Sequence, residues 1–525
     1  MDRPLVNEAP GTVIIQHGND ESTDAVVLEP TPTDDPNDPL NWSKPRKTVN
    51  FAIASFYTLA SFVLLDIGTV VWIQMNAEVG VSWENLNNSF ALNLAGLAVG
   101  CIFFIPFAIK YGRRPIYILS TTVQFATAIW NAKVNSTAEL LAVNAVSGVA
   151  GAVSEALVQM TIVDVFFVHQ RASANAFYNM MVSAGAYLAP VAAGYCATAQ
   201  GWRWIWWWTT VMLGINLVLF VFFFEESKYI PTLISQPGEN PEKVETEVTP
   251  KKSKVQGEVL SAIESGTGFR NKSYRERMAF ITRTDNSLME NMKRPILVLV
   301  GFPAVSFTAL VWGTFLSWFS VIVTTQSSYL SYAPYEYNSS QIGLFNLPPF
   351  IGGLFGAALG GPMNDRYILW RAKRNNGTFE PETRLHLCIP AIFATPLGIL
   401  IFGVGISKGW PWWSLAVGSG IFGFAFFCTG ACALTYVADC YQEIVGDALV
   451  GVAFVRNALS MVIVFVLTPW IEATGLLNMF IAVACIATGT MLTSIPMIAY
   501  GKRMRMWTAR RYRKMALLQP GARRI

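Results

Sequence analysis

Charge is scarce in this chain of 525 residues, since Asp, Glu, Lys and Arg together make up only 14% of it. Hydrophobic residues make up 53%. This composition excludes a disordered chain, a collagen and a soluble enzyme of ordinary composition. The 38 Lys and Arg residues nearly balance 34 Asp and Glu residues, so we expect no nucleic-acid partner.

Histidine and cysteine are also scarce. The three histidines lie outside the centres of the apolar runs, which argues against the convergent polar site of an enzyme. The seven cysteines lie within or at the ends of apolar runs, with no close pairs beside histidine. We therefore predict no disulfide framework, no metal site and no cofactor. A phosphate-binding Gly-x-x-x-x-Gly-Lys-Ser/Thr run is missing, so the sequence does not predict an ATP-driven activity.

Long apolar runs are abundant, with six before a polar stretch and six after it. A helix needs about 20 apolar residues to cross about 30 Å of hydrocarbon, and backbone amides in lipid must be bonded internally. The sequence therefore predicts an all-α membrane protein of twelve transmembrane helices. We place the spans at 49–73, 89–109, 115–132, 140–163, 177–198, 205–224, 296–324, 342–362, 385–406, 412–437, 447–470 and 475–499.

The basic residues are unevenly distributed between the predicted loops. With both termini inside, the short inside segments hold 21 Lys and Arg residues, and the outside loops hold only Lys133, Arg203 and Lys408. Cytoplasmic loops collect Lys and Arg. We therefore predict cytoplasmic termini, in the plasma membrane by default, with the vacuolar membrane as the alternative.

The chain divides into five predicted parts: a disordered tail (1–45), a six-helix half (46–224), a cytoplasmic linker (225–294), a second half (295–500) and a basic tail (501–525). The linker is too polar to bury a core, so Glu225 and Glu226 are expected to be solvated. Glycosylation sequons at Asn87, Asn135 and Asn338 fall in predicted outside loops.

A short repeat relates the two halves. Residues 106–111 and 362–367 both read Pro, three residues, a base and Tyr, at the ends of the second and eighth spans. A repeat at corresponding positions predicts pseudo-symmetric halves.

The loop after the second span carries a family motif. The major facilitator superfamily has Gly, three residues, Asp, Arg or Lys, one residue, Gly, Arg and Arg or Lys at this place. The chain matches it at Lys110, Gly112, Arg113 and Arg114, while Ile105 and Ile109 replace the Gly and the Asp. From about residue 35 to 505 the chain resembles this superfamily, and most of all its fungal twelve-span drug:proton antiporters.

The second half carries only the opening of the same motif, in Gly361, Asp365 and Arg366. The resemblance implies a gating latch, in which the loop Asp faces a helix end of the other half. We expect this latch through Asp365, and not in the first half, where Ile109 stands.

The fifth span resembles the antiporter motif Gly, three residues, Gly-Pro, two residues, Gly-Gly. The matching positions are Gly185, Ala189, Pro190, Ala193 and Gly194. Small residues let helices approach closely, and Pro190 leaves a carbonyl of the preceding turn unbonded. The motif either contributes to the direction of transport or only forms a kinked, tightly packed helix.

Three charged residues lie in the interior of the predicted spans: Asp66, Glu155 and Arg456. A charge at mid-membrane costs about 2.5 to 3.5 kcal/mol, so these residues are candidates for proton or substrate binding. The resemblance implies that the first and fourth spans line a central cavity.

Each of the three also has a purely structural interpretation. Asp66 would be an interfacial residue bonded near Thr69, and Arg456 would form an ion pair instead of binding an anionic substrate. Glu155 would bond to a neutral partner, namely Asn144, Gln159 or Asn179.

The sequence predicts secondary active transport by alternating access. The intramembrane carboxyls favour coupling to a proton gradient, because such groups can exchange a proton as access alternates. We expect efflux of small organic molecules such as drugs, toxins or secondary metabolites. The alternative is proton-coupled uptake of organic cations such as polyamines. A non-transporting receptor ranks third, because the long cytoplasmic tail of such receptors is missing. The expected partners are a small-molecule substrate, the lipid bilayer and the proton gradient, and the expected state is a monomer.

Overall fold

The computed structural model describes residues 9–14, 35–229, 273–278, 280–282, 287–375 and 377–516. Six spans form the first half. They are span 1 (Lys44–Asp66, a 3-10 turn Ile67–Val71, and Trp72–Val79), span 2 (Trp83–Tyr111), span 3 (Arg113–Ala132), span 4 (Thr137–Val165), span 5 (Val168–Ser183, a π-helical turn Ala184–Leu188, and Ala189–Gln200) and span 6 (Arg203–Phe222).

The second half follows a helix at Leu288–Gly301. Its spans are span 7 (Pro303–Tyr329), span 8 (Ser339–Leu344, Leu347–Ala358, a π-helical turn Leu359–Met363, and Asn364–Arg374), span 9 (3-10 helix Pro381–Cys388 and Ile389–Lys408), span 10 (Trp412–Cys440), span 11 (3-10 helix Gln442–Ile444 and Val445–Thr474) and span 12 (Leu476–Leu492 and Ser494–Ala516). Short helices Pro39–Asn41 and Tyr274–Arg277 complete the helical set within the described ranges.

Eleven of these spans are long and apolar enough to cross a membrane, among the described residues. The exception is span 3, which matches the predicted run at 115–132 but carries buried Ser120, Gln124 and Asn131. Neighbouring helices bond two of these residues: Ser120 donates to the carbonyl of Ala150 at 2.7 Å, and Ser61 donates to Gln124 at 2.9 Å. Asn131 donates to the carbonyl of Thr127 in its own span at 3.1 Å. Span 3 can therefore contain these polar residues, which lower its hydropathy, because its polar face is buried against other helices.

The two ends of the bundle are distinguished by the motifs they carry. The end with residues 110–114 and 365–384 is called the motif end, and the end with Asn135 and Asn338 is called the sequon end. Each half has its own apolar core, and Tyr187 of span 5 packs into the core of the second half.

The predicted disordered tail and linker are wrong in part. Residues 9–14 are ordered, and Val13–Ile14 pairs antiparallel with Thr378–Phe379 as a small two-stranded ladder in an otherwise helical fold. Glu225 and Glu226, expected to be solvated, instead pack against the first half: Glu225 pairs with Arg46. These side chains are buried because they bind basic groups and backbone N–H groups at the motif end. Most of the remaining linker, and residues 517–525, lie outside the described residues.

Candidate functional site

A buried ion pair joins the two halves inside the bundle. Glu155 lies ten residues before the end of span 4, and its side chain is nearly inaccessible. Arg456 of span 11 donates from Nη2 to Glu155 Oε1. Asn457 Nδ2 donates to Oε2 at 2.8 Å, and the Cys101 thiol of span 2 lies 3.9 Å from the same oxygen. The second half therefore supplies the charged and amide donors that hold a carboxylate of the first.

Asp66 belongs to the same cluster. It ends the α-helical part of span 1, where the helix tightens into the turn Ile67–Val71. Thr69 Oγ1 donates to its backbone carbonyl at 3.2 Å and not to its carboxylate. The half-buried carboxylate interacts electrostatically with Glu155 and Arg456. Glu155 and Arg456 are thus in direct contact, and Asp66 lies close enough to interact electrostatically with both.

The structure gives Glu155 different partners from the neutral ones considered. Asn144 Nδ2 donates to the carbonyl of Leu140 in its own span. Sequence reasoning missed Asn457 and Cys101 as partners of the carboxylate. The only available signal was a second polar residue directly after Arg456.

A cluster of four aromatic side chains, here called the aromatic wall, lies near Asp66. Tyr187, in the π-helical turn of span 5, contacts Phe319, Phe350 and Phe427 of spans 7, 8 and 10 at ring-centroid distances of 5.3, 6.3 and 5.7 Å. Tyr187 also interacts electrostatically with Asp66. A carboxylate next to aromatic rings offers charge and cation–π attraction to an organic cation.

The antiporter-like motif forms close helix contacts. A Cβ on Gly185 would lie 2.5 Å from Phe62 Cβ of span 1. A Cβ on Gly194 would lie 2.4 Å from the carbonyl oxygen of Ser339, and one on Gly343 would lie 2.6 Å from that of Pro190. Ala189 and Ala193 lie on the same helix as Pro190 and Gly194, which runs from Ala189 to Gln200. The motif therefore packs span 5 against span 8 of the other half at the sequon end.

Hydrogen bonds reinforce this closure. Gln74 Nε2 donates to Ser339 Oγ at 2.6 Å, and Trp83 Nε1 donates to the Tyr332 hydroxyl at 2.8 Å. Asn87 Nδ2 donates to Thr468 Oγ1 at 2.8 Å.

Asn87 is therefore wrong as a glycosylation candidate in this conformation. It lies inside span 2 and not in a loop, and its side chain is 7% exposed. Asn135 and Asn338 are exposed at the sequon end, where Asn338 caps the helix Ser339–Leu344.

The loop motif of the first half is held by residues from beyond span 6. Gly112 has φ +113°, and a Cβ there would lie 2.3 Å from Glu226 Oε2. Glu226 accepts the backbone N–H groups of Arg113 at 2.9 Å and Arg114 at 3.1 Å. Its carboxylate thus caps the N-terminus of span 3, as helix N-termini favour. Arg113 Nε also donates to Asp164 Oδ2 at 3.1 Å.

Lys228 ties the same loop to the far end of the linker. Its ammonium donates to the carbonyls of Lys110 at 2.9 Å and Thr282 at 2.7 Å. Burial, together with repulsion from Arg113, lowers the pKa of Lys228 to about 8. Arg114 donates to the carbonyl of Val221 at 2.8 Å.

The second half repeats the arrangement with other residues. Arg384 donates to Asp439 at the end of span 10, and to Asp365 at 2.9 Å. The expected latch is wrong for this conformation, because Asp365 pairs within its own half. Gly361 lies in the π-helical turn of span 8, and Arg366 is exposed.

The conformation follows from these contacts. Polar bonds cross between the halves at the sequon end and the centre, whereas Arg113 and Arg384 pair within their own halves at the motif end. Apolar contact of Ile105 and Ala156 with Val450 continues between spans 2 and 11. Asn179 of span 5 and Pro362 of span 8 are exposed. We therefore interpret the molecule as closed at the sequon end and open at the motif end, between spans 5 and 8.

Comparison with known proteins agrees with this architecture. The chain is 32% identical to an uncharacterized MFS-type transporter of Schizosaccharomyces pombe, over 97% of this chain and 94% of that protein. It is 30% identical to protein HOL1 of Saccharomyces cerevisiae, over 95% and 94%. The solved proton:xylose symporter XylE, at 13% identity, superposes with a TM-score of 0.58 over 87% of this chain and 96% of XylE. Residues 50–465 match the model of the Major Facilitator Superfamily. The chain therefore belongs to this superfamily of transporters, which are not enzymes.

Proposed function

We propose that this protein is a proton-coupled secondary transporter that exports small organic molecules by alternating access. Family membership makes it a transporter. The observation that carries the rest is the Glu155–Arg456 ion pair, which joins the halves next to Asp66.

Protonation of Glu155 is the proposed coupling step. A buried carboxylate and guanidinium hold each other strongly, and removal of one charge leaves the other uncompensated. A proton on Glu155 neutralises the carboxylate and loosens its bond to Arg456, so the halves separate at lower cost. Loss of the proton restores the pair.

The substrate class follows from the charge count of the cluster. Asp66 and Glu155 supply two carboxyl groups and Arg456 supplies one guanidinium, so the cluster has a net charge of −1 when both carboxyls are ionised. The site therefore favours a cation, and the aromatic wall around Tyr187 adds attraction for an organic one. A proton and a cationic substrate compete for these carboxylates, and this competition is the basis of antiport.

The proposed topology places both termini and the motif end in the cytoplasm, and Asn135 and Asn338 outside. Residues 46–224 and 295–500 are the two rocking halves of a monomer in the plasma membrane. In the conformation described above, a substrate would enter from the cytoplasm between spans 5 and 8.

Uptake of organic cations such as polyamines is the second candidate. The excess negative charge of the cluster favours it equally, because that charge attracts a cation from either side.

Flux in sealed vesicles with an imposed pH gradient tests the proposal. A panel of cationic drugs and polyamines is compared in wild type, Glu155→Gln and the control Glu139→Gln, which lies on the same span near the sequon end. We expect accumulation against the proton flow, lost in Glu155→Gln and kept in the control. Accumulation along the proton flow would favour uptake, and proton-driven flux that survives Glu155→Gln would refute the coupling role.

A further inference from the structure

A buried arginine at the motif end is completed by the N-terminal tail. Arg505, on the helix Ser494–Ala516, is fully buried, with 0% of its surface exposed. Glu382 takes two of its donors, Nε at 2.8 Å and Nη2 at 2.7 Å. The remaining nitrogen, Nη1, donates to the Pro10 carbonyl and lies 3.3 Å from Thr12 Oγ1. The second half alone therefore leaves this nitrogen short of acceptors.

Residues 9–14, here called the strap, fit their site closely. Gly11 has φ +81°, and a Cβ there would lie 2.3 Å from the carbonyl oxygen of Asp439. Only glycine meets both conditions without strain. Val13 and Ile14 pair with Phe379 and Thr378, as in recognition of an extended peptide by strand addition.

The strap comes from the opposite half. Further along the tail, the Tyr229 hydroxyl donates to Asp35 Oδ2 at 3.1 Å, and Lys47 Nζ donates to the Leu40 carbonyl at 2.9 Å. These contacts fix residues 35–40 to the first half. The strap, which precedes the first half in the chain, therefore docks on the second half at the motif end, the same end at which Arg113 and Arg384 pair within their own halves.

The strap also covers a sensitive position. Gly11 packs on Asp439 and Cys440 at the tip of span 10, and Asp439 is the partner of Arg384. Asp439 lies one residue before the end of span 10, just as Asp164 lies one residue before the end of span 4 in the first half. Closure of the motif end requires these tips to approach each other.

We propose that the strap is a releasable autoinhibitory contact. While docked, it keeps the tip of span 10 covered and holds the motif end open, which slows the closing step of the cycle. Release is resisted because it leaves Nη1 of the buried Arg505 without an acceptor, while Glu382 keeps the other two donors. The proposal rests on the proposed transport activity only for its rate measurement.

Cross-linking tests docking in the full-length protein. The pair Val13→Cys/Phe379→Cys places two thiols at directly opposed positions, whereas the register control Val13→Cys/Thr378→Cys does not. Wild type under the same oxidant controls for its own seven cysteines. Mass spectrometry should show a cross-link several-fold more abundant in the first pair. Equal yields in both pairs would overturn the docking.

Release is tested with Gly11→Val, which introduces a clash with Asp439. In an Asn179→Cys background, we expect a thiol reagent added at the motif end to label the introduced thiol more slowly, because release of the strap favours closure of that end. Flux in the oxidised Val13→Cys/Phe379→Cys protein should fall at least threefold and recover on reduction. Unchanged labelling and unchanged flux would refute autoinhibition. Absence of proton-driven flux in wild type would instead refute the proposed function, since the cross-link and the labelling do not depend on it.

Discussion

The two ends of the bundle satisfy their polar groups in opposite ways. At the sequon end, side chains of one half bond to the other, as Gln74 does to Ser339 and Asn87 to Thr468. At the motif end, Arg113 and Arg384 each pair with an acid of their own half. A molecule that alternates between two openings must break the first kind of contact and keep the second. The difference therefore identifies which bonds belong to one state and which belong to the rigid halves.

The motif ends of the two halves also differ from each other. Both pair an arginine with the acid at the tip of an equivalent span, Asp164 or Asp439. The first half adds Glu226 from beyond span 6 as a helix cap, whereas the second adds the Arg505–Glu382 pair and the strap. The two halves thus share an ion pair at the span tip and differ in the residues that cover it.

The largest expected effect comes from the contact that joins the halves at the centre. Arg456→Leu leaves Glu155 as a buried charge without its partner, and we expect a loss of about 3 to 5 kcal/mol in the free energy of unfolding. The double variant Glu155→Gln/Arg456→Leu should recover most of it. Thermal unfolding in detergent measures both, and a single variant as stable as wild type would contradict the pair.

The closed sequon end can be forced apart with a wedge. Gly194→Leu inserts a side chain against the Ser339 carbonyl, and overpacking of this kind costs about 1 to 3 kcal/mol. We expect the closed state to lose population, so labelling of Asn179→Cys from the motif end slows. Gly489→Leu is the control, because a Cβ there meets nothing within 4 Å. Equal labelling in the two variants would argue against a gate at Gly194.

The motif end allows a matched comparison between the halves. Glu226→Gln weakens a cap on two backbone N–H groups, and loss of a cap costs about 0.5 to 2 kcal/mol. Asp365→Asn should change stability by less than about 0.5 kcal/mol, because its side chain is 63% exposed and Arg384 keeps Asp439. Thermal unfolding should rank the two variants in this order, and the reverse order would show that the cap is not formed.

A further expected effect depends on pH. The pKa of Lys228 is lowered to about 8 in the folded protein, whereas an unfolded lysine titrates near 10.4. Its contribution to stability is therefore complete above about 10.4 and is lost as the pH falls through 8. Wild type should gain thermal stability relative to Lys228→Gln between about pH 8 and pH 10, and a constant difference would show that Lys228 is not perturbed.

The fold was largely predictable, because apolar run length and charge placement report directly on membrane spans. The two-half, twelve-helix architecture is confirmed, and the intramembrane charges stood out because lipid makes them costly. That Asp66, Glu155 and Arg456 converge could not be read from spacing, since they lie on three spans far apart in the chain. Their roles in transport stay predictions.

The misses share a physical cause. Glu226, residues 9–14 and Asn87 lie in polar stretches, and composition alone assigns such stretches to solvent. Each is ordered by a partner distant in sequence: the amides of Arg113 and Arg114, the buried Arg505, and Thr468. A pattern along the chain carries no information about such partners.

Span 3 has a consequence for how the protein is made. Its buried Ser120 bonds to Tyr57 of span 1 at 2.5 Å and to the Ala150 carbonyl of span 4 at 2.7 Å. A segment this polar gains too little from lipid to partition into the bilayer alone. During synthesis, we expect span 3 to enter the bilayer only after the neighbouring spans on both sides have been synthesised. We therefore expect the first four helices to enter the membrane as one cooperative unit, so a ribosome stalled before span 4 should leave span 3 outside the hydrocarbon.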